Sequence, residues 1–272
     1  MIQYLVFCIG KFLTILPRIC QCFLGQLIGS TAWMLLSRRR RIAIANLRMA
    51  GFEKDAIRLS LKSFQHMGMN LIEVLLLPHL EKLSPWLIYE NQKDLCQNPK
   101  GVVLLAAHIG NWELMGTYAR LGAPIFGLYR PQKLKWVDEL LYWLRSQTGM
   151  SLLSSHQSLK DTYRVLKDGK VLGNVGDQGQ GLKLQFMGRE TNFPEGPVRL
   201  AHRTDSRLLF YACLREGKYL RMKLVSEIVI DSENLYNAMQ DFAITLENLI
   251  RIYPEQYFWV HDIWKEFRRK KS

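Results

Sequence analysis

The first fifty positions of this 272-residue chain contain no acidic residue, yet they hold seven of its 37 Lys+Arg: Lys11, Arg18, Arg38, Arg39, Arg40, Arg41 and Arg48. Cysteine is scarce. The five cysteines are an odd number and none stands in Cys-x2-Cys spacing, which excludes a disulfide scaffold and a zinc ribbon. Free, buried thiols in a reducing compartment are expected instead. The 9 Pro and 19 Gly show no period, so collagen-like and low-complexity chains are excluded. Only 22% of residues are charged, against 7 Trp, 11 Tyr and 12 Phe, which excludes disorder. Most catalytic signatures are also missing: there is no Gly-x-Ser-x-Gly elbow, Walker loop, His-Glu-x-x-His or Gly-x-Gly-x-x-Gly after a strand.

What is present begins with hydrophobicity. Residues 2–16 are apolar apart from Lys11, and residues 19–37 carry no charge before Arg38–Arg41. Nineteen helical residues cover roughly 28 Å, close to the hydrocarbon thickness of a bilayer. Pro17-Arg18 interrupts the region, and Gln21, Gln26, Ser30 and Thr31 dilute it. Three arrangements fit: one tilted span, two helices lying in the interface, or a buried core helix. No basic segment precedes the first apolar run, so a cleaved signal peptide is not expected. The net charge of +13 is concentrated in this hydrophobic region, whereas a nucleic-acid binder spreads its basic stripe across the folded domain. A membrane partner is therefore expected and a nucleic-acid partner is not. The arginines place the rest of the chain in the cytoplasm. The expected organisation is an anchoring segment over 1–41 and a catalytic domain over 42–272.

Helical spacing runs over 42–49 and 55–77. Residues 101–107 (GVVLLAA) form a continuous apolar run, the signature of a strand buried on both faces of a parallel sheet. Strands are also predicted at 124–129, 171–175, 207–214 and 219–227. Helices are predicted at 112–121, 134–147, 158–168, 195–203 and 234–252. This alternation predicts an α/β fold with a mostly parallel central sheet flanked by helices, and a hairpin at 214–219.

Chemistry concentrates at His108-Ile109-Gly110-Asn111-Trp112-Glu113, where the apolar strand ends. Open α/β sheets bind ligands at the carboxyl ends of their strands. Residues five apart do not meet on a continuous helix, but a strand–turn–helix corner can bring Glu113 to one nitrogen of His108. The carboxylate would fix the tautomer, and the other nitrogen would accept a proton from a hydroxyl. Backbone N–H groups at the new helix start would face a developing oxyanion. The bland account is a capped strand end whose histidine bonds a carbonyl.

These residues resemble the His-x4-Asp/Glu motif of glycerolipid acyltransferases, in the form carried by bacterial lipid A late (secondary) acyltransferases. The resemblance extends along nearly the whole chain. It takes in Ile42-Ala43-Ile44-Ala45-Asn46-Leu47, Met67-Gly68-Met69 with Ile72-Glu73, and Tyr129-Arg130-Pro131. It continues through Asp177-Gln178-Gly179, Phe186-Met187-Gly188, Gly196-Pro197 and Leu200-Ala201, to Pro254-Glu255-Gln256-Tyr257 and Trp259-Val260-His261. It implies acyl transfer from an acyl-carrier protein thioester to a hydroxyl of a lipid A precursor at the cytoplasmic face of the inner membrane. His108 would be the general base and Glu113 its partner, with no acyl-enzyme, metal or cofactor.

Two departures bear on the acceptor. Asp262-Ile263-Trp264 replaces the basic run with which the family usually ends. Phe193-Pro194-Glu195-Gly196 resembles a phosphate-binding motif of glycerol-phosphate acyltransferases. A phospholipid, phosphatidylinositol mannoside or aminolipid is thus an alternative acceptor. The expected substrate contacts are Asn111, Arg130, Asp177, Gln178, Glu195 and Arg199. Arg130 alternatively lies free on the surface, Asp177-Gln178 form a simple turn, and Glu195–Arg199 make an i,i+4 ion pair. His66 and Glu73 share a helix face, with packing or a head-group contact expected. The aromatic run around His261 is expected in the core or at the membrane interface. The tail Arg268-Arg269-Lys270-Lys271 is solvated or touches anionic lipid. The competing class is a non-catalytic membrane-bound protein binding lipid or nucleic acid through its charge. A hydrolase lacks a nucleophile near His108.

Overall fold

The computed structural model describes residues 1–154, 159–231 and 234–264. The tail Arg268–Lys271 and His156 lie outside these described residues. Four helices come first: α1 (Ile2–Leu13), α2 (Arg18–Leu35), α3 (Ser37–Met49) and α4 (Ala56–Leu75). Strands and helices then alternate. β1 (Leu87–Tyr89) follows the short α5 (Leu80–Leu83), and β2 (Val102–Ala106) follows the short α6 (Lys93–Cys96). Next come β3 (Ile125–Tyr129), α7 (Lys135–Ser146), β4 (Ser151–Ser154), α8 (Leu159–Lys167) and β5 (Val171–Val175). A hairpin of β6 (Leu182–Phe186) and β7 (Arg189–Phe193) precedes α9 (Gly196–Thr204). β8 (Arg207–Glu216), β9 (Tyr219–Ile228) and α10 (Leu235–Ile252) complete the domain.

The main sheet has seven strands in the order β1-β9-β8-β2-β5-β3-β4. All neighbours pair parallel except β8 and β9, which form the expected hairpin. The α/β expectation therefore holds for the domain. Continuous apolar runs in β2 are explained by burial of both faces. Val103 and Leu105 enter a core shared with Leu172, Phe210, Phe242 and Trp259. Val102, Leu104 and Ala106 enter a second core with Leu114, Val171, Tyr211 and Ile72. The aromatic run near His261 belongs to the first core: Tyr257, Trp259 and Trp264 are fully buried. All five cysteines are free, but only Cys213 is buried, so the expectation of buried thiols fails for the other four. Residues 112–121 wind as a 3-10 helix, with the Thr117 hydroxyl donating to Leu114 O at 2.6 Å.

Of the three arrangements expected for the N-terminal region, the single straight span is the one not seen. No single described helix is long and apolar enough to cross a membrane, and α2 and α3 bend by 97° at Leu36. Arg40 folds back over the Trp33 ring, 4.7 Å from its centre, and donates to the carbonyls of Trp33 and Met34. The loose carbonyls at the end of α2 are thereby satisfied, and the corner is fixed. α2 packs on α4 with backbones almost touching. A Cβ on Gly68 would lie 2.0 Å from Gly25 O, and one on Gly29 would lie 2.1 Å from Phe64 O. Residues 18–35 thus pack closely against the domain through α4.

These contacts leave no room for a methyl group. Gly68→Ala should separate α2 from α4 and destabilise the protein by about 1–3 kcal/mol, the usual cost of overpacking. Thermal unfolding of the full chain in detergent, beside Gly196→Ala as a control in open space and without a positive φ, measures it.

Candidate active site

The loop after β2 is built by close approach of its backbone to β8. Gly110 adopts φ +63°, and a Cβ there would lie 1.9 Å from Cys213 O, so only glycine fits. Asn111 N–H donates to Cys213 O at 2.8 Å, and Gly110 N–H to Gln256 O at 3.0 Å. His108 O accepts from Phe258 N–H at 2.9 Å. The His108 ring packs edge-on against Trp112, with centres 4.8 Å apart, and beside Phe258 at 5.8 Å.

The carboxylate on the imidazole is Asp177, not Glu113. His108 Nδ1 lies 2.7 Å from Asp177 Oδ1, which also accepts the His108 backbone N–H at 3.1 Å. Asp177 Oδ2 accepts the Tyr257 hydroxyl at 3.0 Å. Parallel register explains the meeting: Ala106 of β2 pairs with Val175 of β5, and His108 and Asp177 each follow two residues later. Among the described residues no hydrogen bond engages His108 Nε2. Burial alone would lower the His108 pKa, but the charge and hydrogen bond of Asp177, with a lesser effect from Glu113, raise it above the ordinary histidine value. Burial and the neighbouring Asp177 charge push the Tyr257 phenol far up, so it remains a donor.

Glu113 instead forms a bidentate pair with Arg145 of α7, at 2.8 and 2.7 Å. Both line a cavity of about 440 Å³ that His108 and Trp112 also line. Arg130 and Gln132 stand at the same cavity, and Arg130 is exposed. Its interior is apolar because two neighbouring strands lack side chains at one level. Gly127 of β3 pairs with Gly173 of β5, flanked in the same row by Leu104 and Leu152. Met150 and Gly116 close the far side. The lining contains no serine or cysteine.

The remaining expected contacts do not converge on the cavity. Asn111 is buried and donates to Glu73 at 2.8 Å, because the loop turns its side chain inward. Glu195 and Arg199 form the i,i+4 ion pair on α9, at 2.9 Å. Gln178 lies beside Tyr257, its Nε2 buried without a hydrogen-bond partner among the described residues. His66 is half-buried near Arg215, and desolvation first, then that cation, lowers its pKa to about 3. His79 Nε2 meets Phe7 O at 3.0 Å in a structural contact. Among the described residues no group of three His, Cys, Asp or Glu side chains could hold a metal ion. Two site residues went unnoticed in the sequence. Arg145 sits in no motif, and Tyr257 is hidden in an aromatic run that reads as core. Equal offsets of His108 and Asp177 from paired strands would have exposed their contact, had the strand order been known.

Comparison with known proteins gives a consistent outcome. The family described as "Bacterial lipid A biosynthesis acyltransferase" matches residues 1–266. The lipid A biosynthesis palmitoleoyltransferase of Escherichia coli (strain K12) is 25% identical over 269 residues, covering 92% of this chain and 86% of that protein. The lipid A biosynthesis lauroyltransferase of the same organism is 25% identical over 259 residues, covering 89% and 84%. The phosphatidylinositol mannoside acyltransferase of Mycolicibacterium smegmatis is 24% identical over 187 residues, covering 63% and 60%. Among solved structures, the 1-acyl-sn-glycerophosphate acyltransferase PlsC from Thermotoga maritima matches with a TM-score of 0.38 and 11% identity, covering 85% of this chain and 94% of that one.

Asp177→Asn removes the charge that outweighs burial at His108. The His108 pKa should then fall below that of a solvent-exposed histidine, near 6.5. Glu113→Gln should lower it only slightly. Imidazole NMR titration of the two variants, with His108→Ala to assign the signal, measures both shifts.

Proposed function

The chain belongs to the bacterial lipid A biosynthesis acyltransferase family, and we propose that it moves a fatty acyl chain from an acyl-carrier protein thioester to a hydroxyl of a lipid A precursor. The observation that carries this reading is the His108–Asp177 pair at the head of an apolar cavity. Asp177 holds Nδ1–H, so Nε2 accepts the proton of the acceptor hydroxyl. The hydroxyl oxygen attacks the thioester carbonyl carbon. Collapse of the tetrahedral intermediate breaks the carbon–sulfur bond, and the imidazolium returns the proton to the leaving thiolate. Asp177 stabilises that imidazolium without accepting its proton. Arg145, oriented by Glu113, and Arg130 at the rim supply positive charge for the developing oxyanion and an anionic head group. Glu113 thus acts through Arg145.

The acyl chain lies in the furrow over Gly173 and Gly127, where backbone replaces side chains. Membrane attachment at the cytoplasmic face of the inner membrane is supported by an inverted α2. Its polar Arg18 and Gln21 are buried, whereas Ile19, Phe23, Leu27, Met34 and Leu35 are 52–77% exposed. Such a face suits lipid, not water. The competing acceptor, a phosphatidylinositol mannoside or another phospholipid, is favoured by the relative from Mycolicibacterium smegmatis.

The test is mass spectrometry of membrane lipids from cells with and without the gene. Loss of one acyl mass from lipid A, restored by wild type and not by His108→Ala, is the expected result. Acyl mass lost from a phospholipid or glycolipid instead would replace the acceptor. Full complementation by His108→Ala would overturn the mechanism. With purified enzyme, Asp177→Asn should lower kcat by about 10²–10⁴-fold, the range of positioned general-base catalysis. The rate should climb with pH through the raised His108 pKa, since only the neutral ring accepts a proton.

A separate expectation concerns chain length. A Cβ at Gly173 meets nothing closer than 3.7 Å, so a side chain fits there without backbone clash but fills the furrow. Gly173→Val should shift the transferred chain toward shorter acids in a mixed-donor competition, read by product mass. An unchanged distribution places the chain elsewhere.

A further inference from the structure

Behind the catalytic loop lies a buried ionic cluster that the acid–base chemistry does not use. Its centre is Glu73 of α4, wholly buried. Arg215, at the end of β8, donates to Glu73 Oε2 at 2.8 Å, and a second bond joins the same guanidinium to Oε1. Arg18, the first residue of α2, also donates to Oε1. Despite full burial, which disfavours its charge, the two guanidinium groups hold the Glu73 pKa below the ordinary carboxylate value. The cluster is therefore two cations on one anion, inside the protein.

From it, two polar side chains reach the loop that bears His108. Asn111 Nδ2 donates to Glu73 Oε2 at 2.8 Å. Asn70 accepts from Arg215 at 2.9 Å and donates to Gly110 O at 2.6 Å. On the opposite side, Gln21 accepts from Arg18 and donates to the carbonyls of Leu13 and Leu16, which close the turn between α1 and α2. An unbroken chain of polar contacts thus runs from the N-terminal corner to Gly110 and Asn111.

We propose that this cluster positions the His108 loop, and that the N-terminal helix pair, through Arg18, is a working part of the active site and not only a means of attachment. Buried ion pairs contribute little net stability over apolar packing of the same shape, and fixing one arrangement is their best-attested use. The pattern of charge also says which residue can be spared. Without Glu73 two buried cations lose their partner, whereas without Arg18 the remaining Arg215–Glu73 pair is neutral. Asn70 and Asn111 can be changed with every charge still paired.

The kinetic arm rests on the acyl-transfer reading; the spectroscopic arm does not. In the full chain, Arg18→Met, Asn111→Ala and Asn70→Ala should each lower kcat, by about 10²-fold for a loop displaced by about 1 Å. KM for the acyl donor should stay within about twofold. A loosened loop weakens the Asp177 contact. The His108 pKa should then fall, and the rising limb of the pH–rate profile should move to lower pH. The other groups facing His108 are Tyr257, Glu113 and His261, with Arg39 beside His261, and none is altered. Arg18→Lys should restore part of the rate. If Arg18→Met does not fold, the two asparagine variants decide the matter. Variants that melt earlier but keep wild-type kcat and a wild-type His108 titration would overturn the proposal and reduce the cluster to a brace. If the wild-type chain transfers no acyl group, the functional reading fails. Histidine NMR titration of Asn111→Ala against wild type would then still decide the positioning role.

Discussion

A single carboxylate, Asp177, organises the site by receiving three donors: the His108 ring, the His108 backbone and the Tyr257 hydroxyl. Two of these bonds come from one residue just after β2, and the third from a distant part of the chain. The strand pair β2–β5 sets the height of both side chains, and the segment after α10 supplies the phenol. Displacing any of these would leave a buried carboxylate under-bonded, which costs more than the bond itself is worth. The geometry also balances two opposing demands on the base. Burial weakens an imidazole as a proton acceptor, and a paired carboxylate strengthens it. Because the second effect wins, His108 is a stronger base than a free histidine, at the expense of being neutral over a narrower range of pH.

Much of this was legible in the sequence, and the failures have physical reasons. The run at 101–107 was visible because burial on both faces demands unbroken hydrophobicity, whereas the strand at 171–175 keeps only Val171 and Leu172 fully buried. The hairpin β6–β7 was not visible. Lys183, Gln185, Glu190 and Asn192 give it a polar side, and it lies outside the main sheet. β1 and β4 are edge strands of 3 and 4 residues, too short to show a period. At the site, the sequence marks both His108 and Asp177, but its motif spacing pairs His108 with Glu113. Local spacing cannot see a contact between residues 69 apart. Only the parallel register, with equal offsets from Ala106 and Val175, brings them together. Asn111 is a related case: a loop residue next to a histidine reads as a ligand contact, and the loop turns its side chain toward Glu73.

The N-terminal charge pattern likewise contained two messages that composition merges. Arg38, Arg39 and Arg41 are exposed beside the apolar corner at Met34–Leu36, whereas Arg18 is buried and paired. Sequence treats all of them as positive charge flanking a hydrophobic stretch. The structure separates a surface role from an internal one, and the separation follows from α2 itself. Close backbone contact at Gly25, Gly29 and Gly68 draws one face of that helix against α4. Arg18 and Gln21 are carried inward with that face, and the large apolar residues are left outside.

This arrangement constrains how the site can tolerate change. The cavity is formed by side chains that are missing, at Gly127 and Gly173, so its shape depends on rigid backbone held by a sheet buried on both faces. The loop above it is held by polar contacts instead, from Asn70, Asn111 and Gln256. Apolar packing is tolerant of small volume-conserving substitutions, whereas a buried polar network loses function when one member is left unsatisfied. The shape of the furrow can therefore drift through single residues that line it. The placement of the His108 loop cannot, because it is shared among the N-terminal corner, α4, β8 and the chain after α10.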